Sequence, residues 1–261
     1  MNWRLVLSPP LDGAENMALD EALLALVEQT GQPVLRLYRW KQATLSLGRS
    51  QNPQGEIDLE GCRRLGIPLV RRITGGRAVL HGEDWTYSVT APIADPLFGD
   101  TIHQTYRSIA QVFVRLFEGL GFATELKAHT PRQRVRLASP ICFATPSAFE
   151  LMIDGKKLVG SAQRRRPTTF LQHGSIPLRP QPKTLAALFT GADAGGLAEA
   201  MTDLESLGVW NTMAPGEFPQ ALVRAFEAEW GVGFDPWEPD GEVMGRVLRL
   251  APAYVWPPVA G

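Results

Sequence analysis

The 261-residue chain is 44% hydrophobic, enough to close a sizeable core, and carries 26 Lys and Arg against 27 Asp and Glu. That balance argues against bulk nucleic-acid binding, which draws on a basic excess, and leaves only local patches for charged partners. No apolar run reaches the roughly 18 residues of a membrane span, and MNWRLVLSPPLDG lacks the basic-then-apolar order of a signal peptide, so a cytoplasmic location without membrane contact is expected.

Along the chain, residues 3–7 read as a strand and residues 15–29 as a helix, with Met17, Leu23, Leu24 and Val27 on an apolar face and Asp12 or Asn16 as its cap. VLRLYRW and ATLSLG give two strands. Asp58 opens a short helix ending near Gly66, whose Leu59, Cys62 and Leu65 share a face, so Cys62 reads as a packed core thiol. IPLVRRI is a strand leading into Thr74-Gly75-Gly76, and AVLHGEDWTYSVTAP reads as a hairpin with Trp85, Tyr87 and Val89 alternating. Residues 100–121 form a helix capped by Asp100 or Thr101 and closed by Gly119 or Gly121. Residues 127–140, basic and broken by Pro, suggest a loop. SAFELMID, KKLVGSAQRR and TFLQHGSIPL read as successive strands, the first two joined at Asp154-Gly155. The last 80 residues turn helical, with an irregular tail from Pro252. Strands and helices segregate, so an α+β fold of mixed, largely antiparallel sheets flanked by helices is expected. It would form one catalytic domain over residues 1–261, with 181–261 a helical extension packed on it.

Three segments carry chemistry. In RRITGGRAVLH, Gly75 and Gly76 after a strand let backbone N–H groups approach a carboxylate, phosphate or thioester oxygen, with Arg72 and Arg77 alongside and His81 following. Taken alone, the segment is equally an ordinary turn with solvated arginines. Cys142 is followed fifteen residues later by Lys157. A free thiol is only a few per cent thiolate at neutral pH. An ammonium about 4 Å away contributes roughly 4 kcal/mol at an effective dielectric of 20, an upper bound of about three pKa units. The Asp154-Gly155 turn folds the chain back between the two residues, although spacing alone does not distinguish a pair from coincidence. Gly160, Ser161 and Ala162, then His173 in QHGS, put small residues on strands, where they allow a narrow channel or simply close packing. With no CxxC spacing, neither a zinc site nor a disulfide framework is expected.

Taken together, NMALDEALL, LRLYRWKQATLSLGRSQNP, RRITGGRAVLH, CFATPSAFELMIDGKKLVGSAQ and LQHGSI resemble the biotin and lipoate protein ligase superfamily over roughly residues 3–180. The resemblance is closest to the cysteine-dependent octanoyl-[acyl carrier protein]:protein N-octanoyltransferases of lipoate assembly. It implies a biotin/lipoate ligase-like domain in which Cys142 carries an octanoyl thioester and Lys157 assists. The implied donor is octanoyl acyl carrier protein, and the acceptor is a lysine of a lipoyl-domain protein such as the glycine cleavage H protein. It also implies that Arg72, Gly75, Gly76, Arg77, His81, Gly160, Ser161, Ala162 and His173 line the substrate site.

Competing members of the superfamily are separable in part. ATP-dependent lipoate–protein ligases resemble GGGAV where this chain has GGRAV, and they need no active-site thiol. A second octanoyltransferase type places its cysteine after the lysine segment, and residues 160–261 contain none. An amidotransferase moving octanoate between lipoyl-bearing proteins uses the same Cys and Lys. Gly82 after His81, and GRSQ at 48–51, depart from the pattern and leave donor specificity open. No cofactor and no metal are called for, because a thioester donor is already activated.

Overall fold

The computed structural model describes residues 2–127 and 149–257. Its larger sheet is built from β1 (Asn2–Leu7), β2 (Val34–Tyr38), β6 (Asp84–Pro92), β7 (Thr124–Lys127), β8 (Glu150–Ile153), β9 (Lys156–Arg165), β10 (Thr169–Pro177) and β11 (Gly233–Pro236), in the order β11-β1-β2-β6-β10-β9-β8-β7. β1 runs parallel to both β11 and β2, and every other pairing in it is antiparallel. A smaller sheet is made of β3 (Thr44–Leu47), β4 (Leu69–Arg71), β5 (Val79–His81) and β12 (Val255–Trp256), in the order β12-β4-β3-β5.

Three layers follow from which faces these strands bury. α3 (Ile102–Gly119) and α6 (Phe218–Trp230) cover one face of the large sheet, where Phe113, Phe170, Phe226 and Tyr87 share a core. α1 (Gly13–Thr30) lies on the other face and is covered from outside by α7 (Gly241–Leu250), which is why it is buried on nearly every side. The small sheet sits beside α1, and α2 (Leu59–Arg64), α4 (Pro182–Leu188) and α5 (Ala194–Ala200) close it off with a second apolar cluster. Among the described residues no helix is long and apolar enough to cross a membrane.

Most expected elements are present, with instructive departures. β5 and β6 do not form a hairpin: β5 pairs with β3 and β6 with β2 and β10, in different sheets. At the turn the Asp84 carboxylate accepts from Gly82 N–H (2.9 Å) and faces His81 Nδ1 (2.8 Å), so the chain swings away instead of folding back. β7 and β11 are short edge strands with little apolar alternation, and the tail after Leu250 is a 3-10 turn followed by β12 on the small sheet. Asp154 and Gly155 both take positive φ (51° and 73°), as a two-residue hairpin turn requires. The 127–140 loop expectation falls almost wholly outside the described residues.

Candidate active site

Between the large sheet, the small sheet and α1 lies a cleft with about 340 Å³ of empty space. Register explains its floor. Tyr38, Thr86, Ser175 and Gly160 lie side by side across β2, β6, β10 and β9, and Arg36, Ser88, His173 and Ala162 form the next row on the same face. At ~4.8 Å between strands, each row spans about 14 Å. α1 stands over β6 and β10 and brings Met17 to the cleft, and the small sheet with the turn after β4 brings Ser46, Arg72, Val79 and His81.

Many of the lining residues are polar, yet their polar atoms are turned to one another or to buried partners behind them. The buried Asp20 on α1 forms an ion pair with the buried Arg36 (2.8 Å) and accepts from Tyr38 Oη (3.0 Å) and Ser88 Oγ (3.0 Å). Its Oδ2 also meets His173 Nδ1 at 3.0 Å, and His173 Nε2 meets Thr74 Oγ1 at 2.7 Å. A second chain runs in parallel from Asp84 to His81 (2.8 Å) and on to Ser46 Oγ (2.9 Å). Arg72 joins them, donating from Nε to Thr74 Oγ1 (3.1 Å) and from Nη1 to Ser46 Oγ (3.0 Å). A guanidinium only donates, so each hydroxyl that accepts from Arg72 has its own proton to give to imidazole Nε2. Both histidines are therefore fitted as Nδ1–H tautomers bonded to a carboxylate.

Electrostatics agree. Burial pushes the Asp20 carboxyl up, but Arg36 and His173 outweigh it and hold the group below its ordinary value. Asp84 behaves alike, with burial opposed by His81 and by hydrogen bonds from Ser175 and Gly82. Burial lowers the His173 pKa, and Arg72 adds to this against the pull of Asp20, so the imidazole is neutral at pH 7. What remains facing the cleft is carbon: the Met17 side chain, the Val79 methyls, Ala162, and the Trp40 ring, which stacks on His81 at 3.9 Å.

The glycine turn is held by the same arginine. Arg72 Nη2 donates to the carbonyls of Gly75 (2.8 Å) and Arg77 (2.7 Å), so all five of its N–H donors have acceptors within the protein. Gly76 has φ +91°, and its carbonyl passes so close to Gly48 that a Cβ there would sit 2.0 Å from it. Gly75 and Gly76 are exposed, whereas Arg77 is half-buried and pairs with Glu56 at 3.1 Å.

Lys157 is buried, at 2% exposure, and its Nζ contacts Glu150 Oε1 at 2.5 Å. It lies three residues before Gly160 on β9, about 10 Å along the strand. Ser161 bonds to Tyr87 Oη at 2.7 Å. Of the residues expected in the site, the cleft therefore gathers Arg72, His81, Gly160, Ser161, Ala162 and His173, with Gly75 and Arg77 tied to it through Arg72. Cys142 lies outside the described residues. Cys62 is buried against the small sheet, and burial, aided by Asp58, raises its pKa, as suits an inert core thiol.

Residues 12–227 match the family model of the lipoyl protein ligase A/B catalytic domain. The chain belongs to that family. It is 36% identical to octanoyltransferase LipM of Geobacillus kaustophilus over 266 residues, covering 96% of this chain and 94% of the relative. It is 44% identical to octanoyltransferase LipM of Staphylococcus aureus over 179 residues, covering 67% of this chain but only 65% of that relative's length. The fold is that of a lipoate-protein ligase A structure bound with ATP, with a TM-score of 0.79 at 23% identity, covering 96% of this chain and 94% of that one.

In this lipoyl-ligase-family chain, sequence reasoning missed Asp20, Arg36, Asp84, Ser46, Trp40, Met17 and Glu150. Two carried a signal. Arg36 sits mid-strand between Leu35 and Leu37, both buried, so the strand has no wet face and its charge needs a partner. Glu150 opens the apolar run ELMI in the same way.

Proposed function

We propose that the chain is an octanoyltransferase of lipoate assembly. It takes an octanoyl group from acyl carrier protein onto Cys142 and passes it to a lysine of a lipoyl-domain protein such as the glycine cleavage H protein. The observation that carries this reading is the channel itself: a slot across the sheet whose polar walls are satisfied internally, so that it offers carbon to its occupant. An extended eight-carbon chain is about 9 Å long with bonds of ~1.5 Å, and it fits within the roughly 14 Å row between Gly160 and Tyr38. Relatives named octanoyltransferase over nearly their whole length support the same assignment. Residues 1–261 are taken as one catalytic domain on which 181–261 is packed, since α6 supplies Phe218, Leu222 and Phe226 to the main core and β11 extends the large sheet.

In the first half-reaction the Cys142 thiolate attacks the donor carbonyl carbon. The carbon–sulfur bond to the pantetheine sulfur breaks, and that sulfur leaves with the electron pair and takes a proton. In the second, a carrier lysine amine attacks the Cys142 thioester, loses a proton, and releases the thiolate. Lys157 is assigned the role of proton donor and acceptor in both steps. Because Glu150 shares its charge, Lys157 depresses a neighbouring thiol pKa by less than a lone ammonium would. Exposed N–H groups of Gly75 and Gly76 are available to the oxyanion. No ATP enters either step.

Incubation with octanoyl acyl carrier protein, followed by intact mass, tests the reading. A hydroxylamine-labile octanoyl adduct is expected on the wild-type chain and not on Cys142→Ala, and adduct formation should slow by about 10²-fold or more in Lys157→Ala. Modification of a lipoyl domain by free octanoate or lipoate with ATP that survives Cys142→Ala would instead establish a ligase. Octanoylated H protein serving as the better donor would point to the amidotransferase.

A further inference from the structure

Three cavities share walls in series. The acyl channel and a second cavity of about 350 Å³ have Val79 and Ser175 in common, and the second shares Arg179, Gln181 and Met201 with a third of about 550 Å³. This path leaves the channel beside Ser175, which lies between Thr86 and Gly160, and not beside Met17, which lines neither outer cavity. It then runs beside the segment bearing Lys157, whose carbonyl accepts from Thr202 N–H at 3.0 Å. The outer cavity is rimmed by Lys156 and Arg179.

Both cations are available at that rim. The Arg179 side chain is 63% exposed and only 3.8 Å from a half-exposed Glu205, a weak surface pairing. Lys156 Nζ donates to the Ala198 carbonyl at 3.0 Å in an exposed setting. The buried Asp203 nearby turns its carboxylate to Ser206, accepting from its N–H (2.8 Å) and Oγ (2.7 Å).

We infer that the second and third cavities are the track of the donor's phosphopantetheine arm, with Lys156 and Arg179 receiving its phosphate. The inference rests on the transferase reading above. The acyl chain lies in the channel and the arm leaves past Ser175, so the thioester falls between the channel and the β9 segment that runs from Gly160 back to Lys157. Lengths agree: thirteen bonds from phosphorus to sulfur extend about 16 Å, and Lys156 and Gly160, four residues apart on β9, are about 13 Å apart. The arm also offers amides to Gln181 and methylene groups to the apolar stretch of Leu80 and Leu185.

Transfer to a lipoyl domain is measured with octanoyl-phosphopantetheine and octanoyl-pantetheine, in wild type and in a Lys156→Gln, Arg179→Gln double variant. The ratio of their kcat/KM values should be about ten in wild type, as two exposed charge contacts allow, and should fall towards one in the double variant. A wild-type ratio near one, or a ratio that the variant keeps, overturns the inference while leaving the transferase intact. Failure of both thioesters beside turnover of octanoate with ATP overturns the transferase reading itself, and this one with it. Octanoyl-coenzyme A carries the same arm on a nucleotide. A preference for octanoyl acyl carrier protein over it is expected and assigns the arm to a carrier; the reverse preference keeps the phosphate site and assigns the arm to coenzyme A.

Discussion

β6 turns Tyr87 and Val89 to one face of the large sheet and Thr86 and Ser88 to the other, and all four are buried. On the first face aromatic rings close the space: Tyr87 and Phe113 have centroids 5.0 Å apart, and Phe98 meets Phe170 at 4.8 Å. On the second, a charge network fills it, from Arg36 through Asp20 and His173 to Arg72 and back through His81 to Asp84. The apolar face stabilises without directional demands. The polar face must be satisfied group by group, and in return it leaves a slot that stays open. The main apolar core and the candidate cleft thus lie on opposite sides of one sheet.

Truncating one member on each face tests that division. Phe226→Ala should cost about 3–5 kcal/mol through the cavity it leaves. Asp20→Ala should cost a similar amount, about 3–5 kcal/mol, for a different reason: Arg36 would be left buried without its carboxylate. The two separate on repair. Replacing Asp20 and Arg36 together by Leu and Met should recover most of the unfolding free energy, since the pair has little net worth against apolar residues of like volume. Octanoyl transfer should not recover, because His173 would still lack its carboxylate partner. Chemical denaturation and transfer assays on the same variants decide it; recovery of activity with stability would make the polar face ordinary packing.

A smaller effect should appear with pH, on one face only. The folded-state pKa of His173 is depressed, so between that value and the ordinary 6.5 the unfolded chain binds the extra proton. Stability from the neutral imidazole is therefore complete above about pH 6.5 and declines as pH falls below it. Asp20 and Asp84, also depressed, act in a separate window: their contribution is present above the ordinary carboxylate value of about 3.9 and is lost only as pH falls below it. Thermal midpoints from pH 7.5 to 5.5 should fall in wild type, each kcal/mol showing as about 2–4 °C, and should flatten in His173→Gln. An equal slope in that variant would place the titrating group elsewhere.

Much of the fold was legible because its patterns are local. The Asp154-Gly155 hairpin, the amphipathic α3 and the segregation of strands from helices need no tertiary information. The polar layer was not legible for a physical reason: alternation in DWTYSVTAP separates two faces but does not say whether the polar one meets water or other buried polar groups. The false hairpin at residues 78–92 has a similar origin, since the Asp84 turn that redirects the strand depends on a His81 orientation that Trp40 and Ser46 fix from elsewhere. Arg72 shows the limit of a motif. Sequence reasoning placed it at the substrate; in the structure its donors hold the glycine turn and both hydroxyls, and any role towards substrate would act through that turn.

The smallest predicted effect lies where the two faces meet. Tyr87 packs its ring on Phe113, but its hydroxyl reaches Ser161 Oγ at 2.7 Å and accepts from Gln172 Nε2 at 3.2 Å. Burial raises its pKa to about 12, so it stays a neutral phenol. Tyr87→Phe keeps the ring and removes only these bonds. It should cost about 1 kcal/mol, the usual net worth of a neutral hydrogen bond. Ser161 lines the cleft and would lose its partner, so KM for the octanoyl donor should change more than kcat, and both by no more than a few-fold. Ser161→Ala in the Tyr87→Phe background should add little, because the shared bond is already gone. A large further loss of kcat in the double variant would mean that Ser161 acts on the substrate directly, and that the aromatic face reaches the chemistry through it.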